Sequence, residues 1–450
     1  MTGHCSTPVS PDGITGMIFA MEGIRGCVTL LNGPMGCRFY HSTTSQFLSI
    51  HPMLYLPSQG GVRVPVDYNH LDNWFFRQQR VPCTYRDGDD YVFGSIEKVR
   101  DGLNYLRDNI HFEMLAVVNS PGASLIGDRL ADVIKETLPG RDTVMLESPG
   151  FSEGFDRGYE QACLQLLRQI CFSDSEKAAD AREKGKVPSV NVLGLSIWNR
   201  YFEGDREELA GLFEDCGISV NCFLGADCSC DEIRRIPQAE LNVVLDPDRG
   251  LETAGYLEER FGTPYYVCDT LPIGFDAVEK MFSDISRILG TDPVRVLEKS
   301  RKARALAWYK INGIYQSCGL PQGALFSIAA ECRAVLSYSA FLMEYLGMIP
   351  DVLTVTGQMQ PSGQRKLREL LEKNHALQAL ERPMTNTRAE LVFSDANWIG
   401  SLMSSGRSFC GIEISLPGMG YTDLVKKSHM GITGALFLTE QVLNGLMTRL

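Results

Sequence analysis

No run of about 18 uncharged apolar residues occurs in this 450-residue chain, so nothing in it reads as a membrane-spanning helix. Its first residues lack a basic start followed by a small-residue cleavage pattern, and a cytoplasmic protein is the expectation. Positive charge is in deficit: 43 Lys and Arg against 55 Asp and Glu leave a formal net charge of -12. A surface that binds phosphates needs the opposite balance, so nucleic acid is not expected as a partner. Long low-complexity runs and strict repeats are absent as well. What remains, 44% hydrophobic and 22% charged, is the composition of a soluble globular protein of two to four domains. Cysteine is not scarce. The 14 cysteines, with no secretion signal, are expected to be reduced thiols, most of them core residues and some bound to metal.

The most informative stretch is Cys27-Val28-Thr29-Leu30-Leu31 followed by Asn32-Gly33-Pro34-Met35-Gly36-Cys37. The apolar, β-branched run reads as a buried strand, and Gly33 and Gly36 let the backbone turn tightly beside a bulky ligand. A cysteine there presents its sulfur above the carboxyl end of the strand, where open α/β sheets hold ligands. Thiolates are the usual ligands of iron–sulfur clusters. Taken alone, though, such a cysteine is more often a small buried residue.

Strand-like and helix-like segments alternate along the chain, which indicates parallel sheets. Strands are predicted at Met114–Val118, Val144–Glu147, Val190–Leu195, Ile218–Leu224, Leu241–Leu245, Leu325–Ala329, Val352–Thr356, Glu390–Phe393 and Cys410–Ile414. Helices are predicted from Ile126, over Gly154–Ile170, Glu207–Cys216 and Leu251–Phe261, up to Leu346, and over Gly434–Met447. Gly217, Gly262 and Gly347 supply three of the stops. The charged stretch Ser173–Pro188 reads as a linker, giving units of 1–172, 189–290 and 291–450.

Several segments together resemble one family, component 1 of nitrogenase and its reductase relatives. They are Gly33–Cys37, Tyr91–Gly94, Ile126-Gly127-Asp128, Glu147–Phe151 with Gly158-Tyr159-Glu160, Ala254–Pro264 and His429–Leu438. The relatives include the dark-operative protochlorophyllide reductase, the chlorophyllide reductase, the nickel-sirohydrochlorin reductive cyclase and the methylthio-alkane reductases. The resemblance implies an α/β fold of three Rossmann-like domains with parallel sheets around a central cleft. It also implies a homologous component 1 subunit as partner, in a heterotetramer or homodimer, with an iron–sulfur cluster at the interface. Electrons would come from a separate ATP-dependent iron protein and pass to a small-molecule substrate. The absence of a G-x-x-x-x-G-K-[ST] loop accords with ATP binding elsewhere. A non-catalytic scaffold for metallocofactor assembly is the rival reading.

Nitrogenase subunits place a cysteine at each of three interface positions, and here only the middle one, Cys37, is cysteine. Family spacing puts the first on Asp12 and the third on Pro121, beside Ser120. A full eight-iron cluster is therefore not expected. A 4Fe-4S cluster with Cys37 as one of four ligands is the pattern the smaller reductases imply. A homodimer would need a second ligand from each chain, and Cys5 or Asp12 is the local candidate. The family position of the cofactor-binding cysteine, after Leu241–Leu245, is Asp246, so no nitrogenase-type molybdenum cofactor is expected through this chain's own ligands. Cys83 reads as a packed thiol. Cys222, Cys228 and Cys230 have a C-x5-C-x-C spacing that matches no common zinc site. His429 reads as either a pocket acid or a packed cap, and His41 and His70 as proton donors or surface histidines.

Overall fold

The computed structural model describes residues 7–38, 55–56, 64–65, 81–127, 129–148, 153–170, 187–357, 360–418 and 423–448. Three sheets, every strand pair parallel, carry the architecture. The first holds β1 (Cys27–Asn32), β2 (Met114–Asn119) and β3 (Asp142–Glu147) in that order. The second holds β4 (Ser189–Leu193), β5 (Ser219–Phe223), β6 (Leu241–Val244) and β7 (Tyr265–Val267), ordered β7-β6-β4-β5. The third holds β8 (Leu325–Ala330), β9 (Ile349–Val355), β10 (Leu391–Ser394) and β11 (Cys410–Glu413), ordered β9-β8-β10-β11. Every residue of β1, β2, β6 and β10 is buried, as befits strands covered on both faces. The expected α/β class with Rossmann-like parallel sheets is the one observed.

Three of the predicted helices begin earlier than their apolar spacing suggested. Helix Phe202–Asp215 starts five residues before Glu207. Helix Pro247–Phe261 starts four before Leu251, with Asp246 as N-cap and proline in the first turn. Ile126 ends a short helix, Pro121–Ile126, rather than opening one; Gly127 closes it in the left-handed conformation, and Leu130–Thr137 follows. The 25-residue helix Val294–Cys318 joins the second and third sheets.

Several helices had no counterpart in the sequence reading, among them Ile96–Asn109, Phe275–Leu289, Val294–Cys318 and the first of the chain. Helix α1 (Gly13–Glu22) is buried at every residue, so it shows no polar face to betray its period. It crosses α2 (Phe155–Gln169) with the two backbones nearly in contact. A Cβ built on Gly16 would stand 2.0 Å from the Phe155 carbonyl oxygen, and one on Gly158 1.9 Å from the Gly13 carbonyl oxygen. Nothing but glycine fits. Gly158→Val should therefore force the helices apart and cost about 3 kcal/mol or more, read as a lowered urea midpoint with matching loss of far-UV signal. A wild-type midpoint would mean the crossing is looser than these distances imply.

Behind the crossing, the core is continuous between units. Trp198, just after β4, meets Phe19 of α1 edge-on at 5.1 Å and Phe155 of α2 at 4.8 Å, and its indole N–H donates to Glu331 after β8 at 2.8 Å. A further parallel pair, Ile24–Arg25 with Cys228–Ser229, links the first unit to the second. These contacts gather the carboxyl ends of several strands around one shared region.

Candidate functional site

The three strands of the first sheet end in register on Asn32, Asn119 and Glu147. Their side chains form a polar ladder: Asn32 donates to Asn119 at 2.9 Å, and Asn119 donates to Glu147 at 3.1 Å. Thr84 and Arg86 also donate to the Asn32 oxygen, both at 3.0 Å, and the Gly33 amide donates to the Thr84 hydroxyl at 3.1 Å. The ladder fixes where the chain leaves β1. At Gly33 a Cβ would lie 2.8 Å from the Ser120 Cβ and Oγ, so the turn needs glycine to pass the cap of helix Pro121–Ile126. Gly36 is exposed, with open space where a Cβ would stand.

Cys37 follows in a single 3-10 turn, Met35–Arg38, half-buried against the core. Burial first, then the charges of Asp12 and Cys83, push its thiol up to about 11. Bound to a metal, a thiol in such a place loses its proton outright, because the cation reverses the electrostatic balance. The two flanking family positions are occupied with other work. Asp12 caps α1, accepting from the Thr15 amide at 2.9 Å and the Thr15 hydroxyl at 2.7 Å. The Ser120 hydroxyl caps its own helix through the Ala123 amide. The Cys83 thiol is buried and donates to the Gly33 carbonyl at 3.0 Å, which is a packing role. Of these side chains Cys37 alone is both a thiol and reachable, so the set fits a shared cluster to which this chain gives one soft ligand. Cys5, His41 and His70 lie outside the described residues.

Tyr91, near enough to Cys37 for their charges to interact, leads into an apolar surface. Tyr91 packs on Gly122, and next to it Val92 and Phe93 are 75% and 84% exposed, with Leu125 at 89%. Exposed apolar groups gathered in this way mark an interaction surface.

A second constellation lies where the three units meet. Arg249, on α3 (Pro247–Phe261), is buried among carboxylates. Its Nε stands 2.6 Å from Asp156 and 3.9 Å from Asp246, its Nη2 3.6 Å from Glu331, and its guanidinium lies over the Phe155 ring at 5.1 Å. Burial opposes its charge, yet those carboxylates hold the guanidinium protonated above its usual range. Burial raises Asp246 and Glu331 against the pull of Arg249. The same cause takes Asp248 to about 7 and Glu160 to about 8. Sequence reading singled out Asp246 only for the cysteine it replaces, and here it caps α3 through the Asp248 amide at 3.0 Å. The other members come from three separate segments, and of them only Glu160 lies in a motif, Gly158-Tyr159-Glu160.

His429 is outside this cluster. Its Nδ1 faces the Tyr338 hydroxyl at 2.7 Å and its Nε2 the Gln441 side chain at 2.5 Å, and burial lowers it to about 4. It is a packed, uncharged ring. Cys222, Cys228 and Cys230 are buried too, the last two aiming their thiols at the Gly23 and Arg25 carbonyls.

Comparison with known proteins identifies the family. The family profile described as "Nitrogenase component 1 type Oxidoreductase" matches residues 13–447. The chain belongs to that family. Among curated members it is 28% identical over 272 residues to a subunit of the light-independent protochlorophyllide reductase from Synechococcus sp. (strain RCC307), covering 58% of this chain and 49% of the relative. The corresponding protein from Halorhodospira halophila (strain DSM 244 / SL1) is 27% identical over 263 residues, covering 58% and 48%. The chain thus spans about half the length of the curated relatives it matches. Among solved structures it superposes on "Nitrogenase Cp1 at pH 6.5" with a TM-score of 0.73 and 15% identity, covering 100% of this chain and 95% of that one. A second, "Nitrogenase Cp1 at pH 5", gives 0.69 with 16% identity, 100% and 91%. The component 1 fold therefore runs through the whole chain. No described helix is long and apolar enough to cross a membrane.

Proposed function

We propose that this component 1 chain is a subunit of a reductase that takes low-potential electrons from an ATP-dependent iron protein through an interface iron–sulfur cluster. The observation that carries this reading is the half-buried Cys37 thiol at the carboxyl ends of the first sheet, bordered by exposed Val92, Phe93 and Leu125. One thiolate cannot hold four irons, and an apolar border calls for a cover. A homologous component 1 subunit, or a second copy of this chain, would supply both. The cluster, a 4Fe-4S cluster in the simplest arrangement, supplies one-electron chemistry at strongly negative potential.

This chain's own residues would do the rest. Gly33 and Ser120 hold the turn that carries Cys37, and the Asn32–Asn119–Glu147 ladder keeps that turn in register. The apolar border excludes water from the joint, which keeps a charged cluster isolated from solvent. The units proposed are 1–172 with the cluster loop, 189–290, and 291–450 with the closing helix Gly431–Met447. The substrate is a small molecule bound between them.

Anaerobic co-purification with a homologous component 1 subunit, followed by metal analysis and low-temperature EPR, tests the reading. Iron and sulfide with a cluster signal that the iron protein reduces are expected. So is the absence of molybdenum from the isolated chain, since Asp246 is a hard oxygen ligand already committed to a helix cap. A complex that forms but carries no iron would sink the proposal, and molybdenum held in stoichiometric amount by this chain alone would sink the second expectation.

A further inference from the structure

A cavity of about 270 Å3 opens where Ser10–Pro11, helix α2, the start of α3 and the loop after β9 meet. Its walls set the apolar Phe155 and Leu251 against the carboxylates of Glu160, Asp248, Glu252 and Glu331. The charges around it are unevenly matched. Arg249 answers Asp156 and Glu331, and Arg157 pairs with Glu252 and Glu153. Glu160 and Asp248 have no ion-pair partner among the described residues. Glu160 is 2% exposed; its Oε1 accepts from the Thr253 amide at 2.5 Å, while its Oε2 is buried with no hydrogen-bond partner. The Asp248 Oδ1 is in the same condition. Buried carboxylate oxygens left without donors are costly, and a ligand that supplies positive charge removes the cost.

We propose that this cavity binds a small organic cation, an ammonium or amidinium, whose charge is met by Glu160 and Asp248 and whose carbon skeleton lies against Phe155 and Leu251. Identifying that cation with the substrate rests on the reductase reading above; the binding does not. Size narrows the class further. A volume of about 270 Å3, just under the roughly 300–1,000 Å3 of pockets that hold drug-sized ligands, suits a small ligand. The surplus of carboxylates repels anionic ligands, including any molecule recognised through its own carboxylate.

The binding is coupled to protons. Glu160 and Asp248, pushed up by burial to about 8 and about 7, are largely or partly protonated at neutral pH. Glu252 and Arg157 face Glu160, and Asp246, Asp156, Arg249 and Arg333 face Asp248. A cation between them favours the ionised carboxylates, so it enters as protons leave, and its affinity rises with pH.

Titration calorimetry on the purified full chain tests this, with n-butylammonium, butyrate and n-butanol as probes. Butylammonium should bind saturably, at least tenfold more tightly at pH 8.5 than at pH 6.0, and release protons measurable in buffers of different ionisation heat. Glu160→Gln should weaken it tenfold or more and flatten the pH dependence. Leu251→Trp, which fills the cavity from its rim without touching charge, should abolish it while the circular dichroism stays native. Absence of saturable binding, butyrate binding as tightly, or a Leu251→Trp variant that binds like wild type would each overturn the proposal. If Glu160→Gln fails to fold, the Leu251→Trp result decides alone. The reductase reading is scored separately, by the iron content and cluster signal of the complex: saturable butylammonium binding by a chain whose complex carries no iron condemns that reading and leaves this site standing, and an iron-loaded, reducible complex without butylammonium binding does the reverse.

Discussion

Cys37→Ser is expected to give a folded chain that has lost most of its iron and its turnover. Serine differs from cysteine by one atom, and the side chain is half-buried, so the stability change should be about 1 kcal/mol or less. The ligand change is far larger. A hydroxyl is a hard, poorly ionised donor where iron–sulfur chemistry needs a soft thiolate. Loss of one ligand should lower iron content and turnover on the order of 100-fold, the upper end of what even outer-shell changes do at metal sites. Metal analysis, EPR and anaerobic assay of the variant with its partner and iron protein provide the check. An unchanged EPR signal and unchanged turnover would reduce Cys37 to a packing residue, like its neighbour Cys83, whose thiol is already committed to the Gly33 carbonyl.

Arg249→Leu should produce the largest stability loss among single changes outside the helix crossing. It removes the only guanidinium within 4 Å of Asp156 and Glu331 among the described residues, and leaves those buried carboxylates facing Asp246 without compensation. Breaking a buried pair in this way costs roughly 3–5 kcal/mol, because the abandoned charge stays out of water. The sign of its pH dependence follows. Burial already raises Asp246 and Glu331, and without the cation that opposes it they take up protons on folding, so stability falls as pH rises through their folded values. The urea midpoint of the variant should therefore lie much further below wild type at pH 8 than at pH 5. Equal deficits at the two pH values would mean that lost packing on Phe155, and not stranded charge, accounts for the effect.

The legible and illegible parts of the site divide along the same physical line. Strand β1, the turn at Gly33 and the position of Cys37 are adjacent in sequence, and their meaning is local: an apolar run, a glycine, a thiol. The register of the Asn32–Asn119–Glu147 ladder was half visible, since each residue ends or directly follows a predicted strand, but which strands are neighbours is a matter of chain return. The apolar border of Cys37 was not legible. Val92 and Phe93 read as ordinary apolar residues in a family motif, and only folding shows that they and Leu125 face outward. Gly33 and Gly36 carry the same turn signal, and only folding shows that Gly33 passes close to Ser120.

The sequence by itself determined the parallel αβ order, most strands to within a residue or two, the membership of the family and the single cysteine left at its interface positions. These follow from periodicity, turn residues and motif spacing, which act over a few residues at a time. The tertiary structure alone decided α1, whose burial on all sides erased the helical period, and its backbone-to-backbone crossing with α2. It alone also decided the carboxylate-lined cavity, because Glu160, Asp248, Arg249 and Glu331 are ordinary surface-type residues until three separate units bury them together. A charge acquires its chemistry from the dielectric and the neighbours around it, and those are supplied by contacts between segments far apart in the chain.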